Sequence, residues 1–137
     1  MKILIAICVL SSNLGLRGSY ASAQTQEFPF TSGNAFLRLC SAVEKEQRTT
    51  AETQQGAECL LYISGFVEGT EIGHTATKVQ TKQENLPGPF CRQDNVETAQ
   101  LVKIVLKYVR ENPEDAHQRT GLVALWAFQK SFPCPSP

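Results

Sequence analysis

Four cysteines constrain this chain of 137 residues most strongly: Cys40, Cys59, Cys91 and Cys134. An even number of cysteines in a short exported chain predicts a disulfide framework. A structural zinc site is the alternative, but its ligands usually come in close pairs such as C-x-x-C. Here the nearest two cysteines are 19 positions apart. Disulfides are therefore favoured, provided that the chain is exported.

The start of the chain predicts export. Lys2 precedes a short apolar run at residues 3–10, ILIAICVL, which has the length of a signal-peptide core and is too short to span a bilayer. Ala21-Ser22-Ala23 has the A-x-A arrangement that signal peptidase favours, so we expect cleavage between Ala23 and Gln24. The fifth cysteine, Cys8, leaves with this signal peptide.

The predicted mature chain, residues 24–137, is long enough for one domain with a modest core. Loss of Lys2 and Arg17 leaves 11 basic against 13 acidic side chains, a charge of about −2. There is no basic stripe that would bind nucleic acid and no second apolar segment long enough for membrane insertion. We expect a periplasmic location.

Apolar spacing predicts an all-α fold, a small bundle of about four main helices cross-linked by two disulfides. The first three helices each have an apolar face, which includes Phe36, Ile63 and Val105, respectively. The first helix follows Thr31-Ser32, either of which can cap it. Residues 45–56 are predicted to be a polar loop. The second helix covers residues 59–75, CLLYISGFVEGTEIGHT, and a long loop follows over about residues 74–90.

The last two helices are predicted from their caps. Asp94 as N-cap and Glu97 three residues later suggest a capping box at the start of the third helix. Asn112-Pro113 is predicted to end that helix and to begin the fourth. The cysteines then fall at helix ends, so we expect Cys40–Cys59 and Cys91–Cys134, although the sequence alone allows three connectivities.

Gly65, Gly69 and Gly73 form a stripe along the second helix. A glycine inside a helix costs roughly 1 kcal/mol relative to alanine, so three of them predict close helix packing, either within the chain or across a dimer. A phosphate-binding glycine loop is excluded, because the stretch has neither the strand–helix context nor the Lys-Ser or Lys-Thr of a Walker motif.

The sequence predicts no catalytic residues, metal ligands or cofactor. A nucleophilic cysteine needs a free thiolate and a base within reach, whereas His74 would lie about 22 Å from Cys59 along a helix. Glu68 and Glu71 are paired one turn apart, but on the polar face. The long polar loop instead suggests protein binding, with candidate contacts at His74, Lys78, Gln80, Lys82, Gln83, Glu84 and Leu86.

Four stretches, in order, resemble the Tai/Rap family of periplasmic immunity proteins of bacterial type VI secretion. They are TSGNAFLRLC, CLLYISGFVEGTEI, FCRQDNVETAQLVKIVLKYVRENPEDAHQ and ALWAFQKSFPC, and the resemblance runs from about Ser32 to Cys134. It implies an all-helical, disulfide-bonded protein that inhibits a peptidoglycan amidase effector by binding it. Some proteins of this family are dimers, which implies a homodimer as a second kind of partner.

Two other classes of function stay open on the sequence. A small periplasmic helical chaperone of the acid-stress kind is also short, exported and disulfide-linked, and acid-triggered protection of client proteins would identify it. A secreted enzyme or hydrolase accessory would be favoured by a titratable free thiol in the oxidised protein.

Overall fold

A computed structural model describes residues 28–135, and the predicted signal peptide lies outside this range. The described residues form four α-helices, which are α1 (Gly33–Cys40), α2 (Thr50–Thr81), α3 (Thr98–Glu111) and α4 (Thr120–Ser131). A short 3-10 helix, Ser41–Glu44, follows α1. No strand occurs between residues 28 and 135, so the predicted all-α bundle with two disulfides is confirmed.

The core is built from apolar side chains that all four helices contribute. Phe36 of α1, Ile63 of α2, Val105 of α3, and Val123 and Phe128 of α4 are completely buried. Removing each such side chain from water contributes about 1.5–3 kcal/mol. The helical faces predicted from sequence spacing are therefore the faces that pack. Ser32 caps α1 as predicted, because its hydroxyl oxygen accepts a hydrogen bond from the Ala35 amide at 3.3 Å.

Both predicted disulfides form. Cys40 and Cys59 have Cα atoms 5.7 Å apart, and both residues are completely buried between α1 and α2. Cys91 and Cys134 have Cα atoms 4.8 Å apart, and this bond ties the connection before α3 to the segment after α4. Cys91 is exposed and Cys134 half-buried, so the two bonds differ in their access to solvent.

The predicted limits of the second helix are wrong at both ends. Helix α2 begins at Thr50, because Thr49 and Glu52 form a capping box in which each side chain accepts the other's backbone N–H. It then continues to Thr81, through half of the predicted loop at residues 74–90. Threonine hydroxyls near this end donate to carbonyls four residues earlier, as Thr77 does to Gly73 at 2.9 Å.

The predicted starts of the last two helices are also wrong. Helix α3 begins at Thr98, with Glu97 as an N-cap whose side chain makes no capping hydrogen bond. Helix α4 begins at Thr120, and the residues after Asn112 form successive turns instead of a first helical turn. Backbone carbonyls in these turns accept hydrogen bonds from the start of α1. The Gly33 amide, for example, donates to the Gln118 carbonyl oxygen at 3.0 Å.

The close approach at Gly33 gives a prediction about stability. A Cβ atom at Gly33 would lie 3.0 Å from the Ala116 carbonyl oxygen, whereas one at Gly73 would meet nothing within 4 Å. We expect Gly33→Ala to lower the free energy of unfolding by about 1–3 kcal/mol through overpacking. Gly73→Ala should raise it by up to about 1 kcal/mol through helix propensity. Urea denaturation of the two variants measures both, and equal effects would contradict this account.

The capping box predicts a pH-dependent contribution to stability. The Lys45 ammonium, followed by the Thr49 amide and hydroxyl, lowers the pKa of Glu52 from 4.5 to about 2. The stabilisation is therefore present above pH 4.5 and is lost as the pH falls towards about 2. Glu52→Gln should lower the Tm at neutral pH, and its difference from wild type should shrink on acidification. Glu46→Gln, an exposed change outside the box, is the matched control. A difference that stays constant with pH would contradict the assignment.

Candidate protein-binding surface

Helix α2 divides into a buried half and an exposed half. Its 32 residues span about 48 Å, and Val67 is its last buried residue. Residues 68–81, called the arm from here on, contain no buried side chain. On the side that continues the core face, Thr70, His74 and Lys78 are half-buried. The arm therefore carries surface for contacts outside the core.

The chain reverses direction at the end of the arm. Lys82 adopts the left-handed conformation, with φ 55° and ψ 31°, and its amide donates to the Lys78 carbonyl. The Leu86 amide then donates to the Gln83 carbonyl at 3.2 Å. Residues 82–86, called the tip, thus form a compact turn that caps the helix and sends the chain back toward the bundle.

The returning segment is fastened to the bundle. Phe90 is buried, and the Cys91 amide donates to the Phe132 carbonyl at 2.8 Å, next to the disulfide with Cys134. The Arg92 guanidinium reaches back to the Glu71 carboxylate at 3.4 Å. The tip is therefore supported by α2 on its N-terminal side and by the disulfide-linked segment on its C-terminal side.

Two open grooves lie at the tip and share Lys82 and Glu84 in their linings. The larger one, of about 900 Å³, includes His74, Lys78, Lys82 and Glu84 in its lining. The smaller one, of about 530 Å³, includes Lys82, Gln83, Glu84 and Leu86. Six of the seven candidate binding residues thus line one groove or both, although the segment is mostly helix and turn instead of a loop. The seventh, Gln80, is exposed on the arm and lines neither groove.

Four groove residues were not among the candidates from the sequence: Thr75, Val79, Asn85 and Pro87. His74, Lys78 and Lys82 recur every four residues, and so do Thr75 and Val79. That spacing is the signal for a helix in this segment. It is weak because only Val79 of these residues is apolar, so no hydrophobic period marks the face.

Charge is segregated along α2. All of its acidic residues lie before Gly73: Glu52, Glu58, Glu68 and Glu71. Its basic residue Lys78, and Lys82 that caps it, lie beyond Gly73. Glu84 is the acidic residue of the tip. The arm therefore ends in a basic surface, while the half of the helix that packs in the bundle is acidic.

The glycine stripe does not pack within the chain. A Cβ atom at Gly65, Gly69 or Gly73 would meet no atom of the described chain within 4 Å. The prediction of close packing inside the chain is therefore wrong, and contact with a second copy stays a prediction. Large apolar side chains on this helix are exposed as well, with Leu61 at 73%, Ile72 at 62% and Val79 at 74%.

Another surface, between α3 and α4, contains the aromatic residues Tyr108 and Trp126. Its polar groups already interact with one another. The Tyr108 hydroxyl donates to Asp115 at 2.8 Å, and the Lys130 ammonium lies 5.7 Å from the centre of the Tyr108 ring. Burial, followed by the Asp115 carboxylate, raises the pKa of Tyr108 to about 12. By contrast, Lys78, Lys82 and Glu84 of the arm and tip take part in none of the ion pairs among the described side chains.

The described residues offer binding groups more readily than catalytic ones. All four cysteines between residues 28 and 135 are in disulfides, so none of them is available as a nucleophile. No group of three or more His, Cys, Asp or Glu side chains in this range could hold a metal ion. Of the paired carboxylates, Glu71 is bound to Arg92. None of the helices described is both long and apolar enough to cross a membrane.

Comparison with known proteins identifies one family. The family model of the Rap1a immunity proteins matches residues 32–134. No curated protein and no solved structure matches the chain. The matched range begins at the cap of α1, ends at the last cysteine and contains all four helices and both disulfides. Because the match covers well over half of the sequence, the chain belongs to the Rap1a immunity protein family.

Proposed function

We propose that this protein is a periplasmic immunity protein that binds and inhibits a type VI secretion peptidoglycan amidase, and so protects the cell that makes it. Membership of an immunity family supports an effector protein as the partner. The resemblance of the sequence to Tai/Rap proteins supports an amidase as that effector. The signal-peptide pattern and two disulfides support the periplasm, where peptidoglycan lies.

The observation that carries this proposal is the tip at the end of the exposed arm. A convex turn can enter or cover an enzyme cleft, and inhibition by obstruction needs no catalytic group on the inhibitor. The tip is held in shape before binding by the cap at Lys82 and by the anchored segment at Phe90 and Cys91. Such preorganisation lowers the entropy lost on association.

The charge of the surface suggests how recognition works. Lys78 lies one helical turn before the tip and Lys82 is its first residue, and neither takes part in the ion pairs that the described side chains form. Several charges of the same sign on a surface speed association with an oppositely charged partner. They contribute more to specificity than to affinity. We therefore expect the complementary surface of the amidase, around its cleft, to be acidic.

The first test is inhibition itself. Purified oxidised protein, residues 24–137, is titrated against the amidase encoded beside it while peptidoglycan cleavage is followed. Stoichiometric inhibition is expected, because an immunity protein must act at the concentration of the delivered effector. Absence of inhibition of this neighbouring amidase by folded protein would contradict the proposal. Acid-triggered protection of client proteins would then favour the chaperone alternative.

The second test places the contact. Replacing Gln83-Glu84-Asn85 with Gly-Ser-Gly removes the side chains of the tip without shortening α2, and should weaken inhibition tenfold or more, a loss of ~1.4 kcal/mol or greater. Replacing Glu46-Gln47, in the exposed turn before α2, with Gly-Ser is the matched control and should leave inhibition unchanged. Helical circular dichroism checks the fold of both. Equal inhibition by both variants would remove the tip from the interface.

A further inference from the structure

The two disulfides differ in how far a solvent molecule can reach them. Cys40 and Cys59 are completely buried, whereas Cys91 is exposed and Cys134 is half-buried. Reduction of a disulfide requires a thiolate to reach one of its two sulfur atoms. A reductant can therefore approach the Cys91–Cys134 bond, called the exposed bond from here on, while the protein is folded. It can approach the other bond only after the core opens.

The exposed bond holds the segment that returns from the tip. No side chain between residues 82 and 89 is buried, so the tip has no anchor of its own in the core. The first anchor is Phe90, whose ring lies with its centre 5.2 Å from that of Phe128. One backbone hydrogen bond, from the Cys91 amide to the Phe132 carbonyl, runs beside the disulfide. The covalent bond thus reinforces a small set of noncovalent contacts.

The ion pair between the returning segment and the arm adds little to this set. The Arg92 guanidinium lies 3.4 Å from the Glu71 carboxylate, and the Glu71 side chain is 57% exposed. Ion pairs with such access to water contribute little to stability. The helices do not depend on the exposed bond in the same way, because their contacts are made by completely buried side chains such as Val105 and Val123. Loss of the bond should therefore loosen the tip and leave the bundle folded.

We propose that the exposed bond is a site of thiol–disulfide exchange with a dithiol reductant, and that its reduction frees the tip. One thiolate of the dithiol attacks the sulfur of Cys91 and forms a mixed disulfide, and Cys134 leaves as a thiolate and takes up a proton. The second thiol of the dithiol, as a thiolate, then attacks its own partner sulfur in the mixed disulfide. Cys91 leaves and is protonated, and the dithiol becomes a disulfide. Two electrons and two protons have passed to the two cysteines.

Reduction has a consequence for binding. In the oxidised protein the tip is held at both of its ends, whereas in the reduced protein it is held firmly only by the end of α2. A segment that must be ordered on association loses more entropy than one that is already ordered. The oxidised protein is therefore the stronger inhibitor. This consequence rests on the proposed function, whereas exchange at the exposed bond does not.

Timed alkylation tests the site itself. Oxidised protein, residues 24–137, is treated with dithiothreitol at neutral pH without denaturant, and samples are quenched with iodoacetamide and mapped by mass spectrometry. Cys91 and Cys134 should be alkylated at least about 100-fold faster than Cys40 and Cys59, because only their bond is accessible in the folded state. Helical circular dichroism should be retained while only the exposed bond is reduced. Equal rates for the two bonds, or loss of the helical signal with the first reduction, would overturn the proposal.

Hydrogen exchange tests whether the tip is freed. In protein that is reduced and alkylated only at the exposed bond, the amides of residues 82–92 should exchange faster than in the oxidised protein, and those of α3 and α4 should not. Unchanged exchange in residues 82–92 would overturn the proposal. This measurement needs no amidase, so it decides the inference even if the oxidised protein inhibits nothing and the proposed function fails.

Inhibition of the neighbouring amidase tests the consequence. The double variant Cys91→Ser/Cys134→Ser lacks the exposed bond and should inhibit about tenfold more weakly than the oxidised wild type, because its tip is ordered only on binding. Pro133→Ser changes an exposed residue of the same segment and keeps the bond, so it is the matched control and should inhibit like the wild type. Equal inhibition by the double variant and the wild type would overturn the link between reduction and binding.

Discussion

The buried disulfide between Cys40 and Cys59 is the constraint on which the rest of the structure depends. It joins the end of the short helix α1 to α2 two to three turns after α2 begins. Both cysteines are completely buried, so the disulfide lies within the packed contact between α1 and α2. Phe36 and Ile63, both completely buried, pack nearby in the same core. This arrangement fixes the direction in which α2 leaves the bundle.

Charged groups define where α2 begins and tie the segment before it to α3. The capping box of Thr49 and Glu52, reinforced by Lys45, defines where the helix begins. Next to it, the Arg110 guanidinium of α3 binds both carboxylate oxygens of Glu44, at 2.9 and 2.5 Å. Arg110 lowers the pKa of Glu44 through this hydrogen-bonded pair. The first half of α2 is therefore held by covalent, apolar and ionic contacts together, and it supports the second half as a fixed base.

The sequence predicted those parts of the structure that face the core, and missed those that do not. Helical spacing of Phe36, Ile63 and Val105 correctly identified packed faces, and cysteines at helix ends correctly indicated the pairing. The end of the arm, after about residue 75, was taken for a loop because nothing packs over it and no apolar period marks it as a helix, although its backbone is helical. The capping pair Thr49 and Glu52 lay in a polar stretch that was interpreted by composition alone.

The candidate binding residues lie close together in the structure, although the segment that carries them has a different structure from the predicted loop. Six of the seven residues chosen from the polar segment line the grooves beside the tip, because polar residues with no role in the core gather where the chain is exposed. The stripe of Gly65, Gly69 and Gly73 was found in the sequence, but only the structure shows that the space beside these glycines is open. A row of glycines predicts a close contact, but it does not identify the molecule that makes the contact.

The division of α2 into a buried and an exposed half also bears on how such a protein can diverge. The residues of α2 up to Val67 contribute side chains to the core, whereas residues 68–86 contribute none that is buried. Amino-acid changes in the second group can therefore accumulate with small effects on stability. One helix thus combines a part that tolerates little change with a part that is free to follow a changing partner, and recognition can be altered without rebuilding the fold.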